Sequence, residues 1–62
     1  MITSLQVRAS ARSMVRQYGA TAWEEAARRT EALAEVGDWK GVAMWRRIGG
    51  AIRSFEAVPS LH

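Results

Sequence analysis

Trp45, Ile48, Ile52 and Phe55 follow one another at intervals of three, four and three residues. That spacing places four large apolar side chains on one face of a helix, and a face of that size has to be covered. The stretch from Asp38 to Phe55 that carries it also holds two of the three tryptophans and the only phenylalanine. The residues before it read as two shorter helices that supply the cover, each with its own start and stop signals.

Thr3 followed by Gln6 predicts a capping box, in which each side chain satisfies the other residue's free backbone N–H. Ile2 before the cap and Val7 after it are placed for a hydrophobic staple. Val7, Ala11, Met14, Val15 and Tyr18 then form a single stripe, and Gly19 supplies a left-handed stop. The first helix is predicted over 4–18. Thr21 and Glu24 repeat the capping-box pattern, and Glu24 and Glu25 favour the N-terminal dipole. Glu24 with Arg28 and Glu25 with Arg29 are i, i+4 pairs worth a few tenths of a kcal/mol each. Trp23, Ala26, Ala27, Thr30, Leu33 and Ala34 make the inward face of this second helix, predicted over 22–36. Gly37 ends it and Asp38 caps the next.

The third helix is predicted over 39–56. Its strongest face is Gly41, Trp45, Ile48, Ile52 and Phe55, flanked by Met44 and Ala51, and its expected core partners are Val15, Tyr18, Trp23 and Leu33. Gly49-Gly50 is the anomaly, since each glycine inside a helix costs roughly 0.8–1.0 kcal/mol relative to alanine. The pair either kinks the helix, or admits another backbone closely, or is simply tolerated. Ala43, Gly50 and Ser54 lie together away from the core face and would suit a helix from another chain. Pro59 ends the helix, leaving 59–62 as a frayed tail.

Connections of two or three residues make consecutive helices antiparallel neighbours. The expected fold is all-α: a three-helix up-down-up bundle forming one domain over 1–58, or an antiparallel hairpin with the first helix docked on it. Sixty-two residues bury only about 60% of the surface that the unfolded chain exposes. Stability on the order of 3–9 kcal/mol follows. With no cysteine and a single histidine at position 62, neither a disulfide nor a structural metal is expected to add to it. Small domains without such staples commonly gain stability by oligomerising or by binding a partner, so a self-associated or complexed state is expected.

The residues Tyr18-Gly19, Ala22, Ala26, Leu33, Gly37-Asp38, Gly41, Trp45, Ile48 and Ile52, within a span of about 9–55, resemble a family of short uncharacterised bacterial helical proteins. The shared pattern is a glycine turn, an alanine-rich helix, a Gly-Asp turn, then a glycine and a tryptophan in the last helix. The resemblance implies a small helical domain with no assigned activity and carries over no catalytic residue. Gly49-Gly50 departs from the bulkier residues the pattern leads one to expect there.

Net charge is +3, from eight arginines and one lysine against six acids. It is unevenly placed. Residues 1–20 carry Arg8, Arg12 and Arg16 with no acid. The middle carries Glu24, Glu25, Glu31 and Glu35 against Arg28 and Arg29, and the last part Lys40, Arg46, Arg47 and Arg53 against Asp38 and Glu56. An acidic helix between two basic ones neutralises part of its neighbours' charge.

Metal catalysis needs several convergent ligands, and nucleophilic catalysis needs a nucleophile with an adjacent base. No such constellation or glycine-rich phosphate loop is present, so neither enzyme activity nor a cofactor is expected. Glu31 and Glu35 share a helix face and read as solvated surface. No apolar run reaches the length of a membrane span, and Met1-Ile2-Thr3-Ser4 lacks the pattern of a secretory signal. The expected setting is cytoplasmic. A basic helix with tryptophan also allows attachment to a membrane surface, although the apolar stripes are better explained by one another.

Two functional readings remain. In the first, the chain is a protein-interaction domain, a homodimer or an accessory subunit. Trp39, Val42, Ala43, Arg46, Gly50 and Arg53, with Leu5 on the first helix, are exposed beside the core, and tryptophan with arginine is the pairing enriched at binding hot spots. In the second, it is a small basic helix-turn-helix-like nucleic-acid binder that uses Arg8, Arg12, Arg16, Arg46 and Arg47. The acidic middle helix counts against the second, because it disfavours approach to phosphate.

Overall fold

The computed structural model describes residues 3–57, with side chains through Phe55. Three α-helices account for nearly all of it: α1 (Ser4–Tyr18), α2 (Ala22–Glu35) and α3 (Trp39–Ala57), with a 3₁₀ turn at Gly19–Thr21 between the first two. No strand occurs among the described residues. The expected helix spans hold to within a residue. Ile2, Pro59 and the 59–62 tail lie outside the described residues, so the staple and the tail do too.

Local chemistry sets these ends. The Thr3 amide donates to Gln6 Oε1 at 2.8 Å and the Gln6 amide donates to Thr3 Oγ1 at 3.1 Å, completing the capping box. Gly19 stops α1 with a φ of 56°, a conformation that only glycine adopts at little cost. The end of α2 is a Schellman motif. The Gly37 amide donates to the Ala34 carbonyl at 3.1 Å and the Asp38 amide to the Leu33 carbonyl at 2.9 Å. Asp38 then caps α3, its Oδ1 accepting from the Gly41 amide at 3.0 Å.

The second capping box does not form. Thr21 has φ −97° and ψ 8°, whereas a capping side chain needs extended backbone to reach forward. The 3₁₀ turn points its hydroxyl backward instead, donating to the Tyr18 carbonyl at 2.9 Å. The expected Glu24–Arg28 pair is also replaced, because Arg28 bonds Glu25 one residue nearer.

α3 packs against both other helices, while α1 and α2 share the smallest contact. Trp23 lies near Gly49 and beneath Arg53, and Leu33 lies near Gly41, so α2 and α3 run in opposite directions. Val7, Ala11 and Met14 from α1, Ala22 and Ala26 from α2, and Ile48 and Ile52 from α3 form the buried core. Val15, Tyr18, Met44, Trp45, Ala51 and Phe55 pack half-buried around it. Three expectations fail here. Leu33, expected in the core, is half-buried outside it, beside Gly41. Trp23 is at the rim rather than in the core, 37% exposed. Val42, expected on the surface, is buried. α3 is flanked on two sides, so its covered arc is wider than a single stripe. Val42 lies seven residues before Gly49, on the side that Gly49 turns toward Ala26 and Trp23.

The helix continues unbroken through Gly49-Gly50, so the pair is not a break. A Cβ at Gly49 would meet Trp23 and Ala26 at 3.8–3.9 Å, ordinary contact, and one at Gly50 would meet nothing within 4 Å. Gly41 differs, since a Cβ there would lie 2.9 Å from Asp38 Oδ2 and 3.0 Å from Leu33 Cδ1.

Candidate interaction surface

Arg29 is the residue that joins the three helices. Its Nε donates to Glu25 Oε2 at 3.0 Å, a terminal nitrogen donates to the Tyr18 hydroxyl at 3.0 Å, and the guanidinium lies 4.9 Å from the Trp45 ring centre. Arg28 and then Arg29 hydrogen-bond the Glu25 carboxyl and hold its pKa below the ordinary value. Sequence spacing suggested only the Glu25 contact, because the other two cross between helices.

Beside this junction, α2 and α3 line an open groove of about 350 Å³. Ala26, Ala27, Gly49 and Gly50 form its floor because they have little or no side chain, and Trp23 and Trp45 rise as its walls. Glu31 stands on the α2 rim and Arg46 on the α3 rim. At one end the Arg53 guanidinium stacks 4.3 Å over the Trp23 ring, a cation–π contact at an exposed site worth about 0.5–1 kcal/mol.

Of the residues expected at a partner surface, Arg46 and Gly50 line this groove and Arg53 lies over the Trp23 ring beside it. Trp39, 65% exposed, and Ala43 are open on the first turns of α3. Val36 is also exposed, on the other side of the Gly37-Asp38 turn. Val42 is buried and drops out of the surface. Trp23, Ala27, Glu31 and Trp45 were not expected to take part. The available signal was the run of alanines and glycines on two adjacent helices, which cannot fill the space between large neighbours.

The arginines expected to contact nucleic acid do not form one patch. Arg8, Arg12 and Arg16 line a second open depression of about 510 Å³ on α1 with Leu5 and Ala9, and the Arg12 guanidinium lies 5.8 Å from the Phe55 ring centre. Arg46 belongs to the α2–α3 groove and Arg47 is exposed on α3.

Among the described residues, no group of three or more histidine, cysteine, aspartate or glutamate side chains is placed to hold a metal ion. No helix among them is long and apolar enough to cross a membrane. Comparison with known proteins finds no matching family model, no similar curated protein and no similar solved structure.

Proposed function

We propose that this chain is a small non-enzymatic helical domain that works by association with protein, as a homodimer or as an accessory subunit. The observation that carries the reading is the tryptophan-walled groove between α2 and α3. Aromatic and arginine side chains around an apolar floor are the composition enriched at binding hot spots. Trp39 and Val36, on either side of the Gly37-Asp38 turn, are further exposed apolar side chains. In this reading the helices form an up-down-up unit, supported by the opposite directions of α2 and α3 and by the short connections. The resemblance to short bacterial helical proteins is part of the proposal and adds no activity to it. A cytoplasmic setting suits a chain without cysteine.

The test is mass. Light scattering of the purified chain across concentration is compared with the native size of the chain in extracts of cells that make it. Association predicts a species larger than the 6.9 kDa monomer in at least one of the two. A monomer in both refutes the reading.

The nucleic-acid alternative is favoured by one observation. Arg8, Arg12 and Arg16 are exposed along α1, and no ion pair engages them among the described residues. Three neutralised phosphates would give a log–log salt slope of about −2.7 on duplex DNA. Reversing the three arginines to glutamate should abolish that binding, and no binding at low salt rejects the alternative.

A further inference from the structure

The two helices that line the groove differ in the sign of their net charge. α2 carries Glu24, Glu25, Glu31 and Glu35 against Arg28 and Arg29, and α3 carries Lys40, Arg46, Arg47 and Arg53 against Glu56. At the groove itself the rims are Glu31 on one side and Arg46 on the other. A foreign helix of a single charge sign would meet like charge at Glu31 or at Arg46. A second copy of this chain does not. Turned by a two-fold axis through the groove, its acidic α2 lies on the basic α3 of the first copy and its α3 lies on the first copy's α2. This is the self-complementary contact that a symmetric dimer requires.

Gly50 adds an independent argument. It lies inside a helix, where alanine is more favourable, and no atom of its own chain stands within 4 Å of the position a Cβ would take. Its neighbour Gly49 would also accept a Cβ at ordinary contact distance. Folding of the single chain therefore requires neither glycine, and Gly50 is the one exposed on the lining of the groove. A backbone approaching from outside the chain is what a missing Cβ at Gly50 admits.

We infer that the α2–α3 groove is the contact between two copies of this chain, related by a two-fold axis, with Gly50 at the close approach and Glu31 of each copy facing the basic α3 of the other. The inference rests on the association reading above and names its partner.

The experiment measures dimer dissociation by sedimentation or light scattering for the wild type and four variants. Gly50→Leu should weaken the dimer at least about 30-fold, the loss typical of an interface hot spot. The dilute monomer of that variant should melt no lower than wild type, because the space around Gly50 is open within the chain. Glu31→Arg and Arg46→Glu should each weaken the dimer by about fivefold, as rim charges do, and the double variant E31R/R46E should recover most of the loss. A purely structural role for these residues would move the melting curve and give no recovery. A dimer unmoved by Gly50→Leu and by the charge reversals overturns the groove assignment and leaves association standing. A purified monomer that is larger in cell extracts overturns the second copy and leaves the accessory-subunit reading. A monomer in both settings overturns both.

Discussion

Replacing Ile52 with alanine tests whether the face running from Trp45 to Phe55 holds the domain together. Ile52 is fully enclosed. The change removes three carbon groups from the core at about 0.8 kcal/mol each, or ~2.4 kcal/mol of transfer free energy. The cavity left behind adds to this, and the usual range for isoleucine to alanine in a core is about 2–5 kcal/mol. Set against a total of roughly 3–9 kcal/mol for a chain of this length, the loss should leave much of the population unfolded at room temperature. For so small a domain, ~2.4 kcal/mol corresponds to a fall in melting temperature of about 10–20 °C. Far-ultraviolet circular dichroism through urea and heat measures it, at one fixed chain concentration because association also moves the midpoint. Leu5→Ala is the control, since Leu5 is 78% exposed and should change stability by less than about 0.5 kcal/mol. If Ile52→Ala loses less than about 1 kcal/mol, or no more than the control, the core is not where the side chains are placed.

The two threonines before α1 and α2 should behave differently despite their similar sequence contexts. Thr3→Ala, which breaks both bonds of the capping box, should cost about 1 kcal/mol. Thr21→Ala should cost less in the same denaturation assay, because Thr21 makes no side-chain cap bond. Glu25 has a folded pKa depressed first by Arg28 and then by Arg29. Its contribution is therefore present above its unfolded pKa of about 4.3 and is lost as pH falls through the folded value. Stability measured against pH should show Glu25→Gln below wild type at neutral pH and converging with it in acid. Trp39→Ala should leave the melting curve of the dilute monomer in place, since the side chain is largely exposed. A fall as large as that of Ile52→Ala would place Trp39 in the core.

The helix spans and caps were open to reading because they depend on neighbours in sequence. Thr3 with Gln6, Gly19, Gly37 and Asp38 act over three to five residues, where spacing fixes geometry. Failure came where the third dimension decides. Thr21 has the residues of a capping box, but the 3₁₀ turn sets its backbone outside the extended region the box needs. Val42 lies off the stripe of large residues, yet α3 is covered from two sides and the covered arc reaches it. Trp23 falls on the helical stripe of α2 at its first turn, where it caps the edge of the core beneath Arg53. Arg29 was expected to make one local ion pair, and its contacts with Tyr18 and Trp45 follow only from the packing of three helices. The groove was the least readable feature, because small residues on two separate helices define it by what they leave empty.

The distribution of side-chain size gives the proposed association its physical motive. The buried hydrophobic side chains among the described residues are Val7, Ala11, Met14, Ala22, Ala26, Val42, Ile48 and Ile52, so three of these eight are alanine and none is aromatic. Every aromatic side chain is at the edge: Tyr18, Trp45 and Phe55 are half-buried, and Trp23 and Trp39 are exposed. Aromatic side chains bury about 150–250 Å² each when covered, and at about 25 cal/mol per Å² they are the largest apolar stabilisation such a chain has in reserve. Folding of one copy leaves part of that reserve in water, most of all at Trp23 and Trp39. Alanine in the core draws α2 and α3 close together, and glycine on the outer side of the same pair keeps the groove open between Trp23 and Trp45. The choice that makes the core thin therefore also makes the groove, and covering the groove recovers burial that the single chain forgoes.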